Sequence, residues 1–160
     1  MSFSSNVKAE LCRQSITRRM EALAEAYGVL LYCNTFTGSA VRVVTESRDF
    51  AERLPKLFRK AFGVGFDATP DPDEPGKLLL AIEQKDKLEK LLTALDMRAD
   101  GEVALHVNFG LLEEEPEQLA FFRGAFLAGG SVTDPAKRYH LELVTSHYSV
   151  SRELTALLLV

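Results

Sequence analysis

Met20, Leu23, Ala24, Tyr27, Leu30 and Leu31 recur at helical spacing, which predicts a long helix from Arg18 to about Cys33 with Thr17 as its cap. A shorter helix, Asn6 to Arg13, precedes it, capped by Ser4 or Ser5. The period then changes to two. Thr35–Thr37 and Val41–Val44 alternate as the arms of a hairpin around Gly38–Ser39. A basic amphipathic helix follows over Arg48 to Ala61, ended near Gly63. Val64–Thr69 and Lys77–Glu83 are expected as two more strands, separated by the proline- and acid-rich loop TPDPDEPG. Lys85 to Met97 carries Leu88, Leu91, Leu92 and Leu95 on one helical side. Beyond it, Val103–Phe109 alternates like a strand, and Gln118 to Ala128 returns to helical spacing.

Part of this pattern occurs twice. Residues 26–34 read AYGVLLYCN and residues 122–130 read FRGAFLAGG, each a helix end with glycine at its third position. Each is followed by a strand pair closing on Val-Thr, then by an amphipathic helix. With Gly28 aligned to Gly124, the Val-Thr pairs differ by four positions, which a longer hairpin loop at Thr133–Arg138 accommodates. A repeat in one order predicts two halves related by a pseudo-two-fold axis. The class is therefore α+β, with αββαββα halves and antiparallel sheets, the second half incomplete. The expected division is 1–98 for the leading helix and first half, 99–116 for a linker and 117–160 for the second half. Ala24 and Gly28 lie one turn apart, as do Ala120, Gly124 and Ala128, so both helices present a shallow face of small residues. These five positions are the expected seam between the halves.

The repeat, the opening MSFSSNVKAEL and the run FFRGAFLAGGSVTDPAKRYHLELV resemble the WhiA family of bacterial transcription regulators, whose scaffold is the LAGLIDADG fold of homing endonucleases. The resemblance covers essentially the whole chain. In nucleases of this fold the eighth letter of the motif is an acid that holds a divalent metal. That position is Cys33 in the first copy and Gly129 in the second, and the often acidic sixth letter is Leu31 and Leu127. No Asp or Glu lies between Glu25 and Glu46, or between Glu117 and Asp134, so no shift of register restores one. Magnesium takes hard oxygen ligands, usually carboxylates. The expectation is a scaffold with no catalytic residue, no metal and no cofactor. The resemblance also implies further strands, a helix and then a helix-turn-helix domain after Val160, so the chain is expected to be a shortened form.

Charge sharpens this picture. The overall charge is −4, but residues 1–60 carry a net +4, residues 61–117 a net −9 and residues 118–160 a net +1. In the resembled nucleases the sheets form a saddle that sits on DNA. Arg42, Arg48, Arg123, Lys137 and Arg138 are the expected DNA-binding residues, while Asp67, Asp71, Asp73 and Glu74 would repel phosphate near such a saddle. The acidic run Glu113–Glu117 suits the positive end of the helix that Pro116 opens.

Other chemistries find no support. Cys12 and Cys33 have neither metal nor disulfide spacing. His106, His140 and His147 lack the partners of a zinc site, Ser131 lacks a nucleophile elbow, and no phosphate-binding glycine loop occurs. No apolar run is long enough to span a membrane, and the N-terminus has no signal-peptide core. The family implies a cytoplasmic, nucleoid-associated regulator of sporulation or cell division. Its expected partners are DNA, weakly or through a helix-turn-helix, and a regulatory protein, with oligomerisation possible through the incomplete half. The competing expectation is a degenerate nuclease scaffold that binds only protein or a small effector.

Overall fold

A computed structural model describes residues 2–97, 109–145 and 147–158. Its centre is a helix with almost no polar face. Helix α2, Arg19–Tyr32, is buried at every position from Ala22 to Tyr32. A helix apolar all round must be enclosed on all sides. Its main partner is α5, Glu115–Gly129, which buries Ala120, Phe121, Gly124, Ala125, Phe126 and Leu127. Around this pair stand α1 (Phe3–Leu11), the strands β1 (Thr35–Phe36) and β2 (Val41–Thr45), α3 (Arg48–Phe62), β3 (Leu78–Ile82) and α4 (Lys85–Ala94). The chain ends with β4 (Gly130–Val132), β5 (Leu141–Leu143) and α6 (Tyr148–Leu158).

The repeat is visible in this order. Elements α2, β1, β2 and α3 recur as α5, β4, β5 and α6. Both sheets are antiparallel, one ordered β1-β2-β3 and the other β4-β5. Among the described residues, the second unit has no counterpart of β3 and α4.

At the seam, the two small-residue faces meet backbone to backbone. A Cβ built on Gly28 would collide with the Phe121 carbonyl oxygen and lie 2.8 Å from the Ala125 nitrogen. One built on Gly124 would collide with the Glu25 carbonyl oxygen and lie 3.1 Å from the Val29 nitrogen. Phe121 precedes Gly124 by the same three positions that separate Glu25 from Gly28, and Ala125 and Val29 each follow their own glycine. The contact is thus the same from either side, as a two-fold relation requires.

Helix α3 closes the first unit. Phe50, Leu54, Leu57, Phe58 and Ala61 face inward against Val41 and Val43 of β2 and Leu78, Leu80 and Ile82 of β3. Ser47 caps its start through Oγ, which accepts from the Phe50 N–H at 3.2 Å. Gly63 ends it in the left-handed region, φ 72°, where a glycine carries no Cβ penalty.

Several elements differ from the sequence expectation. Ser2, not Ser4 or Ser5, caps α1, its Oγ accepting from the Ser5 N–H at 3.1 Å. Helix α2 starts from Arg18 without a side-chain cap, so Thr17 has no such role. Residues 64–69 form no strand. Only Ala68 bridges to Ala81, because the neighbouring Asp67 turns its carboxylate to the start of α4. That carboxylate accepts from the Glu83 and Gln84 N–H groups at 2.6 and 2.9 Å and from Lys87 Nζ at 2.6 Å. It caps a helix to which it does not belong. The strand expected over 103–109 lies outside the described residues except for Phe109, which opens a 3-10 turn, Phe109–Leu111. His106 is also outside them.

The seam and the Asp67 cap each set a measurable part of the stability. Gly124→Ala should lower stability by about 1–3 kcal/mol, because backbone has no way to yield to a new methyl group. A helix-propensity gain of up to ~1 kcal/mol opposes this. Thermal melts should show a loss for Gly124→Ala, a larger one for Gly124→Leu and none for Gly65→Ala, whose Cβ would meet only the Arg59 side chain at 3.7 Å. The cap responds to pH. The Lys87 ammonium and the Glu83 and Gln84 N–H groups hold the Asp67 carboxyl down at about 2. Its contribution is complete above the unfolded value of about 3.9 and disappears as pH falls through about 2. Chemical denaturation across this window should show Asp67→Asn losing less stability on acidification than the parent.

Candidate functional site

The seam buries one carboxylate. Glu25 is 1% exposed, alone among the apolar residues of ALAEAYGVLLY. An unpaired carboxylate there would be very costly, and two arginines satisfy it. Arg53 of α3 donates from Nε to one oxygen at 2.7 Å and from Nη2 to the other at 2.9 Å. Arg123 of α5 donates from Nε to the second oxygen at 2.5 Å. The remaining Arg53 nitrogen reaches the Cys12 and Gln14 carbonyls at 3.2 and 2.5 Å. One carboxylate therefore fastens α2, α3, α5 and the turn after α1. Burial works against the Arg53 charge, but the hydrogen bonds and charge of Glu25 outweigh it and hold the guanidinium above its ordinary value.

This cluster breaks the two-fold relation. Glu25 and Arg123 have as their symmetry counterparts Phe121 and Tyr27. Those two rings also meet, with centroids 5.5 Å apart. One flank of the seam is ionic, and the other is aromatic.

Both positions that would hold a metal are closed by packing. Cys33, at the end of α2, is 7% exposed. Its thiol donates to the Leu30 carbonyl at 3.3 Å and the Thr35 carbonyl at 3.2 Å. Burial pushes that thiol up to about 12, so it rests protonated near neutral pH. Gly129, at the end of α5, has no room for any side chain. A Cβ there would lie 2.5 Å from the Val144 carbonyl oxygen and 3.0 Å from the Tyr32 carbonyl oxygen. Leu31 and Leu127 are buried in the core.

The expected DNA-binding residues do not share one surface state. Arg123 departs most from the expected surface state, since its Nε is bonded to the buried Glu25 and its side chain is only 19% exposed. Arg42 projects from β2 but pairs with Glu83 at 3.1 Å. Arg48 donates to the Glu74 carbonyl. Lys137 and Arg138 are exposed in the second hairpin loop, where both amides donate to the Asp134 carbonyl. The seam residues Ala24, Gly28, Ala120 and Gly124 are buried where their helices meet, and Ala128 packs partly buried against the same core. His140 lies 3.3 Å from Glu142 on the exposed strand β5.

Sequence reasoning passes over Glu25 and Arg53. Arg53 belongs to the basic amphipathic helix expected over Arg48 to Ala61 but sits on its inward side. The available signal is the single acid within an apolar run.

Two αββα units joined at a glycine-paired helix seam, with both helix-end positions free of carboxylates, define a LAGLIDADG-like scaffold. The model of the WhiA LAGLIDADG-like domain matches residues 118–159. The chain is 33% identical to a "Probable cell division protein WhiA" of Ruminiclostridium cellulolyticum, over 96% of this chain and 51% of that protein. It is 29% identical to the protein of that name from Clostridium perfringens, over 99% of this chain and 54% of the relative. Two solved structures share the fold at 19% identity. The N-terminal LAGLIDADG domain of DUF199/WhiA gives a TM-score of 0.67, covering 98% of this chain and 70% of that one. Full-length DUF199/WhiA from Thermatoga maritima gives 0.64, covering 89% and 44%. The chain is similar over nearly its whole length to WhiA proteins, and it spans about half the length of the curated relatives it matches.

The buried ion cluster makes a stability prediction. Glu25→Gln should cost about 3–5 kcal/mol, because it leaves Arg53 buried without a counter-charge. Replacing the pair together, Glu25→Leu with Arg53→Met, should recover part of that loss. Urea titrations of Glu25→Leu, Arg53→Met and the double variant give the coupling; additive losses would contradict it.

Proposed function

We propose that this chain is a non-catalytic LAGLIDADG-like module of a WhiA-type bacterial regulator, serving DNA association in cell-division or sporulation control. The observation that carries the non-catalytic reading is the closure of both helix ends. Phosphodiester cleavage by this scaffold's route needs metals that stabilise the attacking and leaving oxygens. A packed thiol at Cys33 and a backbone contact at Gly129 leave no place for the carboxylates that would hold them. Cell division is the process in which the curated relatives are named. DNA association, promoter control and a cytoplasmic, nucleoid-associated location are the family-level part of the proposal. Consistent with that location, no helix among the described residues is long and apolar enough to cross a membrane.

A second reading has its own observation. Tyr139, Leu141, Val144 and Leu158 of the second unit are all more than half exposed. These exposed apolar side chains are the observation that favours a module serving a regulatory protein partner.

The test of the non-catalytic reading is supercoiled plasmid incubated with the purified chain and magnesium or manganese. No cleavage is expected, and none from Gly129→Asp, whose side chain should cost stability rather than create a site. Double-strand breaks that co-purify with the chain across columns would overturn the reading.

A further inference from the structure

We propose that DNA phosphates are contacted at the cleft between α1 and α3, on the helical side of the molecule, and not at the outer face of the β1-β2-β3 sheet. This rests on the DNA-association reading above and assigns it a surface.

Arg42 is the one cation on the described strands of that sheet. Arg42 is paired with Glu83, and Lys87 with Asp67 at 2.6 Å. Arg48 is engaged by the Glu74 carbonyl. Beside them the loop of Asp71, Asp73 and Glu74 adds exposed or half-buried negative charge. In the ladder Val44 stands opposite Leu79, and Arg42 lies between Thr35 and Ala81. Such a face does not attract a polyanion.

The α1–α3 cleft has the opposite balance. It measures about 970 Å³ and is open to solvent. Arg13, Lys56, Arg59 and Lys60 line it, against the carboxylates Asp49 and Glu52. Among the described residues none of these four cations has an ion-pair partner within 4 Å. Arg53 lies at the base, where its charge is balanced by Glu25. That internal pair fixes the cleft walls, since Arg53 also holds the Cys12 and Gln14 carbonyls of the opposite wall.

Arg59 and Lys60 stand in the last turn of α3, and the helix dipole alone favours their sign there. It does not account for Lys56 one turn earlier, or for Arg13 arriving from the other wall. Lys56 and Lys60 share a helix face about 6 Å apart along the axis, a like-charge pairing that costs the isolated helix a little stability. An open trough with a row of unspent cations suits a polymer lying across it better than an enclosed small ligand.

The test uses the 160-residue chain and a fluorescein-labelled duplex of about 20 base pairs, with anisotropy titrations from about 50 to 200 mM salt. Lys56→Ala/Arg59→Ala/Lys60→Ala should weaken binding at least about tenfold at low salt and flatten the salt slope by about 0.9 for each phosphate no longer neutralised. Lys137→Ala/Arg138→Ala should bind like the parent. If the triple variant binds as the parent does and the hairpin variant does not, the cleft assignment fails while DNA association stands. If the parent shows no salt-dependent binding at all, both fail. Lysine acetylation footprinting of the parent gives an independent readout that needs no variant to fold. DNA should protect Lys56 and Lys60 and leave Lys137 reactive; the reverse pattern overturns the proposal.

Discussion

The structure depends on two backbones touching. Where α2 crosses α5, each glycine lies against a carbonyl of the other helix, with no side chain between them. Removing the Cβ at two positions lets long stretches of both helices bury their flanking residues, from Leu23 to Tyr32 and from Ala120 to Leu127. The gain is collective: each buried methylene contributes about 0.8 kcal/mol, and the close approach brings many together. The cost is that neither glycine position can be filled, so the helix axes are fixed relative to one another. Everything attached to those helix ends inherits that fixed geometry, including β1, β4 and the two positions that hold metal in nucleases of this fold.

The same crossing shows how a repeat becomes asymmetric. Equivalent places on the two flanks hold Glu25 with Arg123 and Phe121 with Tyr27. The aromatic flank is held by contact area and ring geometry. The ionic flank is held by charge, and it recruits a third partner, Arg53, from the first unit. A buried carboxylate is weak evidence for stability, because desolvation offsets much of its attraction. Its value here is directional. It specifies which helix faces which, and it ties the turn after α1 to α3.

Legibility in the sequence follows the range of the physics involved. Local patterns mark the helices α2, α3, α5 and the first hairpin, because apolar period and turn chemistry act within a few residues. The glycine seam is legible for a different reason: a residue without a side chain recurs at one place in both copies. What cannot be read is anything created by distant residues. Asp67 belongs in sequence to an expected strand, but Lys87 and the start of α4 claim its carboxylate. Arg123 carries a charge that composition assigns to the surface, yet Glu25, far away in the chain, draws it inside. Charge counting treats such residues as free, and pairing decides whether they are.

Pairing also governs what the scaffold can do. A metal site fails at Gly129 through sterics and at Cys33 through burial, so the two losses have different causes. Both positions sit at the end of a central helix, Gly129 under Val144 of its own unit and Tyr32 of the first, Cys33 against Leu30 and Thr35 of its own unit. In a nuclease those places must stay open enough for carboxylates, ions and scissile phosphate. Here the space at Gly129 is filled by the packing of the two units, and the space at Cys33 by the first unit's own helix end. A carboxylate at Gly129 would have to displace the Tyr32 and Val144 backbone, so filling that position and keeping the two units packed are in direct competition.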